Sequence, residues 1–269
     1  MQRIGLIAGN GQLPIMWAKS ACKNGAEVIA FAFYGETDKS LQNQVKKIYW
    51  FKLGELSKFI KTIKAEKVDK AIMIGQIRPV HFLFRSFFSK DEELRSLLNQ
   101  VKDKRGNSLL AAFANRIEKE GIELLDSRTF IQDYLPQAGN LTRINVDEKI
   151  KKDIEFGLKI AREMAMLDIG QTVVVKDLTV LAVEAIEGTN KAILRGAELG
   201  GRGVVVIKTA SPKHDMRFDI PVFGPKTIYY LRKVKAKALA IEAQRTIIID
   251  KEKTLNLAEK NNIVVIAVE

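Results

Sequence analysis

Cysteine and histidine are almost missing from this chain. Its 269 residues include one cysteine, Cys22, and two histidines, His81 and His214. A single thiol excludes an internal disulfide and the usual four-ligand thiolate zinc site. Two imidazoles exclude a His-rich metal centre. Any metal is therefore expected to be a hard ion on carboxylates, with Mg2+ first and Mn2+ next. No apolar run approaches the ~18–20 residues needed to span a bilayer. The opening "MQRIGLIAGNG" lacks the charged-then-apolar plan of a signal peptide, so a cytoplasmic protein is expected. Solenoid-length repeats and low-complexity segments are missing too.

What is present is an ordinary globular composition, 46% hydrophobic and 28% charged, which excludes a disordered chain. The length suits one large or two modest domains. A formal charge of +12 calls for an anionic partner or a solvated lysine surface. Lys58, Lys61, Lys64, Lys67 and Lys70 recur at helical spacing, and "LRKVKAK" at 231–237 reads as another exposed helix face. No nucleic-acid-binding motif accompanies the charge, so no nucleic acid is expected. An anionic membrane surface or a phosphorylated substrate fits it.

The order of elements indicates two α/β domains. "RIGLIAGNGQLP" reads as a buried strand, a glycine loop and a helix that begins near Pro14 and ends at Asn24–Gly25. "EVIAFAFYG" is the next strand, "LSKFIKTIKAEKV" a helix and "KAIMIGQI" a third strand. "NSLLAAFANRIEKEGIELLD" supplies a helix followed by a strand. Apolar strands alternating with helices predict a Rossmann-like parallel sheet over residues 1–130. Pro136 and Gly139 break the periodicity, which makes 131–146 a linker. A mixed-sheet α/β domain is expected over 147–269. It starts with a helix at 147–166 and a hairpin turning at Lys176–Leu178.

Four stretches carry candidate chemistry. "AGNGQLP" at 8–14 joins a strand to a helix N-terminus, where Gly9, Gly11 and Gln12 either make a tight turn or approach a phosphate. It lacks the third glycine of the dinucleotide fingerprint, and no acid closes the second strand. "GQIRP" at 75–79 ends the third strand on the same sheet edge as that loop, with Gly75 a candidate substrate contact and Arg78 either a loop residue or a phosphate ligand. "VEAIEGT" at 183–189 ends a strand with Glu184, Glu187, Gly188 and Thr189, a helix cap or a metal and hydroxyl site. "KHDMRFDIPVFGP" at 213–225 packs five titratable side chains into seven positions. Pro221 biases Ile220 toward extended backbone. Met216, Phe218 and Ile220 would then face one side, and Asp215, Arg217 and Asp219 the other. In a straight strand the two acids stand ~13 Å apart, too far for one Mg2+. Either the segment bends or Asp215 acts behind Asp219. A fifth stretch, "VHFLFRSFFSK" at 80–90, holds Phe82, Leu83, Phe84, Phe87 and Phe88. It is either core or dimer contact, or an acyl-chain groove at a membrane surface.

Together, "GLIAGNGQLP", "GQIRP", "EKEGIELLD", "DIGQTVVV", "LAVEAIEGTN" and "RFDIPVFGPKT" resemble, in order, the UDP-2,3-diacylglucosamine pyrophosphatases of the LpxI type. The resemblance runs from residue 3 to about residue 268. It implies a Rossmann-like N-terminal domain and a C-terminal α/β domain. It also implies Mg2+-dependent hydrolysis of a UDP-linked diacylated glucosamine to UMP and the acylated sugar 1-phosphate, in lipid A synthesis. The partners expected with it are that substrate, the inner-membrane surface at most peripherally, and a second copy in a homodimer.

Carried over residue by residue, Asp219 matches the family's "R-x-D-[LI]-P" aspartate and becomes the first candidate for catalysis and Mg2+. Arg217 joins it as a phosphate holder, and Asp215 and Glu184 as further metal candidates. Gly9, Gly11, Leu13, Pro14, Arg78, Pro79, Gln171, Glu187, Gly188, Thr189 and Thr227 match other recurrent positions. The sequence departs at Asn107 and Ser108, where relatives carry two acids, and at Asn190, where they carry Asp. It departs again near Ala238, where the family's glycines are lost. A binding module or an NAD-type oxidoreductase on the N-terminal fold is the rival reading. The missing third glycine and ribose acid count against it.

Overall fold

A computed structural model describes residues 2–77, 89–101, 106–210, 215–218 and 220–269. The chain forms two compact units. One comprises Met1–Gln132 and Asp215–Asp219, the other Asp133–His214 and Ile220–Glu269.

The first unit starts with β1 (Arg3–Ala8), α1 (Leu13–Lys23), β2 (Glu27–Phe33), β3 (Lys47–Phe51) and α2 (Leu56–Ala65). It continues with β4 (Lys70–Ile74), α3 (Glu92–Gln100), α4 (Gly106–Glu118) and β5 (Glu123–Leu124). The five strands pair in parallel in the order β3-β2-β1-β4-β5. Alternation along β2 assigns its faces. Ile29, Phe31 and Phe33 join Phe51, Leu56 and Phe59 in one core cluster. Val28, Ala30 and Ala32 point the other way and are buried as well. Burial on both faces is what a parallel sheet requires, and it explains why the strands read as continuous apolar runs.

β3 was not foreseen from sequence. It begins with a lysine, Tyr49 and Trp50 are half-buried, and it lies at the sheet edge. The lysine row also breaks. α2 ends at Ala65, Lys67 takes a positive φ of 50°, and Lys70 opens β4.

The second unit contains β6 (Gly139–Asn140), α5 (Glu148–Met166), β7 (Thr172–Lys176), β8 (Thr179–Val183), α6 (Thr189–Gly200) and β9 (Val205–Lys208). After it come β10 (Val222–Phe223), α7 (Pro225–Lys233), β11 (Ala238–Glu242), β12 (Ile247–Ile248), α8 (Lys251–Lys260) and β13 (Val264–Val268). Its six-stranded sheet runs β6-β13-β11-β9-β7-β8. β9, β11 and β13 are parallel, and β6, β7 and β8 run against their neighbours. β10 and β12 form a separate parallel pair. α5 covers one face through Ile150, Ile154, Ala161 and Met164. α6, α7 and α8 cover the other through Ile193, Ile228, Leu231 and Ala258.

The β7–β8 turn has positive φ at both Asp177 and Leu178 (52° and 59°), the backbone of a type I′ hairpin. Neither residue is glycine. Asp153 on α5 holds the turn, accepting from the Leu178 N–H at 2.7 Å and the Asp177 N–H at 3.2 Å.

The stretch read as a linker is structured here. β6 pairs with β13, and the Asn140 side chain accepts from the Thr142 N–H at 3.1 Å. The basic run at 231–237 is helical only to Lys233, since α7 stops there and Lys235 takes φ 53°.

Candidate functional site

In the first unit, strand order reverses between β1 and β4, since β2 and β3 lie on one side of β1 and β4 on the other. The carboxyl ends of β1 and β4 therefore frame the crevice where open α/β sheets bind ligands. Gly9 and Gly75 stand there back to back. A Cβ on Gly9 would sit 2.7 Å from the Gly75 carbonyl group, and one on Gly75 would sit 2.8 Å from Asn10 O and from Pro14 Cγ. Gly75 also has φ 91°, so close approach and backbone conformation both demand glycine.

The Gly9 N–H donates to Ile74 O at 2.8 Å and the Asn10 N–H to Gln76 O at 2.7 Å. Those two donors are spent on the last residue of β4 and on the chain just past it. Among the described residues no backbone partner meets the N–H groups of Gly11, Gln12 and Leu13 at the start of α1, which has no side-chain cap and has Pro14 in its first turn. Gly11 has φ 96° and open space where a Cβ would be. Beyond β2 the chain turns back, and Thr37 Oγ1 donates to Ala8 O at 2.5 Å. That turn makes Glu36 5% exposed, so a buried acid does follow the second strand. In the sequence this acid does not close the strand, since it comes three residues after Phe33.

Asp215–Phe218 is a turn and not the extended stretch expected, with the Phe218 N–H donating to Asp215 O at 3.1 Å. The segment therefore bends, and the alternating faces do not form. Its physical cause is a local ion pair. Arg217 Nε lies 2.9 and 3.0 Å from the two Asp215 carboxylate oxygens, Nη2 lies 2.5 Å from Oδ2, and the Arg217 N–H reaches Oδ1 at 3.0 Å. Arg217 Nη1 donates to Glu118 Oε2 at 2.6 Å and Nη2 to Asn115 Oδ1 at 3.5 Å. Asn115 and Glu118 are three apart on α4 and share a face. The segment belongs to the first unit. Met216 O accepts from the Ser127 N–H at 2.7 Å, and Phe218 packs on the first core cluster. The Arg217 hydrogen bonds hold the Asp215 carboxyl below the usual carboxylate range, against a smaller opposing effect of burial.

In the second unit, polar side chains gather where β7, β8 and β9 meet the start of α6. Thr189 Oγ1 donates to Glu184 Oε1 at 3.0 Å, accepts from Lys208 Nζ at 2.9 Å and lies 3.3 Å from Thr172 Oγ1. Glu184 Oε2 is buried and has no hydrogen-bond partner among the described residues. Gly170 fixes the Glu184 backbone, since a Cβ there would lie 2.1 Å from Glu184 O. Glu187 closes the loop before the helix, taking the Ala185 N–H at 3.0 Å and Arg195 Nη2 at 2.6 Å. The Arg195 contact lowers the Glu187 pKa. Gly188 precedes α6 with φ 83°. The Gln171 carbonyl accepts from the Thr209 N–H at 2.9 Å, and Thr227 lies in the first turn of α7.

Among the described residues no three of His, Cys, Asp and Glu gather to hold a metal ion by themselves. The donors nonetheless differ in how they suit a hard cation. Both Asp215 oxygens are engaged by Arg217, whereas Glu184 Oε2 is a buried carboxylate oxygen of the type such an ion takes. Arg78, Asp219, both histidines and the aromatic residues from Phe82 to Phe88 lie outside the described residues. Lys208, Thr172, Glu118 and Asn115 were not singled out from sequence. The one available signal was a lysine ending "GVVVIK", an otherwise apolar strand.

No helix among the described residues is long and apolar enough to cross a membrane. Comparison with known proteins gives a consistent picture. Residues 3–134 match the LpxI N-terminal domain model, and residues 137–266 match the LpxI C-terminal domain model. A Caulobacter vibrioides protein named UDP-2,3-diacylglucosamine pyrophosphatase LpxI is 28% identical over 277 residues, covering 100% of this chain and 98% of its own. Among solved structures, glycinamide-RNase-transformylase T from Mycobacterium tuberculosis gives 16% identity and a TM-score of 0.26 over 68% of this chain and 44% of that one. Phosphoribosylglycinamide synthetase from Anaerococcus prevotii gives 12% and 0.29 over 72% and 42%. This chain thus spans less than half of either, and likenesses so slight carry no argument. With the two domain models matched in order along nearly its whole length, the chain belongs to the LpxI family.

Proposed function

We propose that this chain is a hydrolase that cleaves the pyrophosphate of UDP-2,3-diacylglucosamine, giving UMP and 2,3-diacylglucosamine 1-phosphate for lipid A synthesis. The observation that carries the reading is the full-length, collinear match to both LpxI domains, with the Caulobacter vibrioides relative named for that substrate. In the reaction water adds to one phosphorus and the bridging oxygen departs on the other. Such chemistry needs a positioned water and donors for the charge that develops on the phosphate oxygens.

Asp219, from the family resemblance, would orient the water. Arg217 would be kept rigid by Asp215 and Glu118, so that its charge is fixed in place. Asp219 is the first candidate to hold Mg2+ or Mn2+ and Glu184 Oε2 a separate one, and the ion when bound supplies charge neutralisation across the phosphate oxygens. The Gly11–Leu13 N–H groups at the start of α1 would approach an anionic part of the substrate. A peripheral position on the inner membrane, where a diacylated substrate resides, and a homodimer belong to the same reading.

Incubation with UDP-2,3-diacylglucosamine, followed by mass analysis, tests it. UMP should form with Mg2+ or Mn2+, form poorly with Zn2+ and be lost in excess EDTA. Asp219→Asn should lower turnover by ~10²-fold or more, the scale of an electrostatic catalytic group. Lack of UMP under every metal condition would overturn the function, and full turnover in EDTA would remove the metal from it.

A further inference from the structure

Lys208 places a positive charge where charge is costly. It ends β9, a strand in the interior of its sheet, and is only 7% exposed. Alternation sends Val205 and Ile207 to the α5 face and Val206 to the α6 face, and Lys208 follows Val206. Its ammonium therefore rises to the first residue of α6, where Nζ donates to Thr189 Oγ1 at 2.9 Å. Among the described residues that is its hydrogen bond, and no ion pair joins it. An ammonium has three donors, and one neutral hydroxyl offsets little of the hydration lost on burial.

The Thr189 hydroxyl is fully committed. Its one proton goes to Glu184 Oε1, and its lone pairs take Lys208 Nζ and Thr172 Oγ1, which must be the donor in that contact. Thr189 thus aims the ammonium and is itself held by two neighbours. The N–H groups of the first turn of α6 stand beside it, and Gly188 at the cap brings no side chain to occupy them.

We propose that Lys208 is a phosphate-binding residue, which with the first-turn N–H groups of α6 takes an oxygen of a nucleoside diphosphate. The inference rests on the hydrolase reading for the identity of the whole substrate, but its ligand chemistry is testable without turnover. The experiment is calorimetric titration of UDP and, separately, uridine, in EDTA, into the full-length protein and into Lys208→Met. The expected result is a loss of about tenfold or more in UDP affinity, as for a hydrogen bond to a charged group. Uridine affinity should be unchanged, which separates loss of the phosphate contact from a general loss of folded protein. Lys208→Gln is read in the same way if the methionine variant fails to fold. Equal UDP affinity, equal loss for uridine and UDP, or no UDP binding by the unaltered protein would each overturn the proposal. Lysine-dependent UDP binding without UMP release from the acylated substrate would support it while sinking the hydrolase reading.

Discussion

Asp215 and Arg217 are two residues apart and meet through three side-chain contacts, so the pair is a property of the turn itself. The pairing raises the Arg217 pKa, with Asp215 the largest cause, and lowers that of Asp215. A carboxylate whose folded pKa lies below its unfolded value stabilises the fold fully above about 3.9. That contribution is lost as pH falls through the depressed folded value. Asp215→Asn should therefore narrow its stability gap to the unaltered protein progressively below about pH 4. Melting temperatures at a series of pH values between neutrality and about 2 read this directly. Parallel curves would show that the pair contributes nothing. Arg217→Gln should flatten the same acid limb, since the carboxylate loses its principal partner.

Helix α5 meets the sheet through Gly157. A Cβ there would lie 2.5 Å from Ile207 Cδ1 and 2.9 Å from Val175 Cγ2. Gly157→Ala gains about 1 kcal/mol in helix propensity and costs about 1–3 kcal/mol in overpacking, so a net loss of up to about 2 kcal/mol is expected. Ile207→Val removes the nearest atom, and the double variant should lose less than the two singles combined. Urea unfolding of the four proteins measures the coupling, and strict additivity would place the strain elsewhere. Elements with one dominant signal could be read from the sequence. β1, β2, β4 and the β7–β8 hairpin are apolar runs bounded by turn residues, and α5 starts at Asp147, which caps it by accepting from the Ile150 N–H. The edge strand β3 escaped because half-exposed strands mix charge with aromatics. Asp215–Phe218 escaped for a different reason. Alternating apolar and charged residues suit a strand, but a side chain that pairs two positions along its own backbone suits a turn, and periodicity does not distinguish them. The glycines at the switch point could be located from sequence, but the donors spent on the end of β4 and the chain just past it depend on strand order. Lys208 reads as a solvated strand end until the helix that buries it is in place.

The first unit is discontinuous in sequence, since Asp215–Asp219 returns to it after most of the second unit's sheet has been spelled out. A chain ending at Gln132 would leave the Ser127 N–H without Met216 O and remove Phe218 from the core cluster. The expected penalty is roughly 1–3 kcal/mol, from one hydrogen bond exchanged for water and part of an aromatic side chain. Thermal melting of that fragment beside the whole protein checks it, and an unshifted transition would show that the returning segment adds no stability. The same discontinuity sets a timetable during synthesis. Gln132 leaves the ribosome some 80 residues before Asp215, which at about 5–20 residues per second is roughly 4–16 s. Through that interval the nascent unit carries an uncovered patch of its core, which makes this the period when a chaperone would have most to hold.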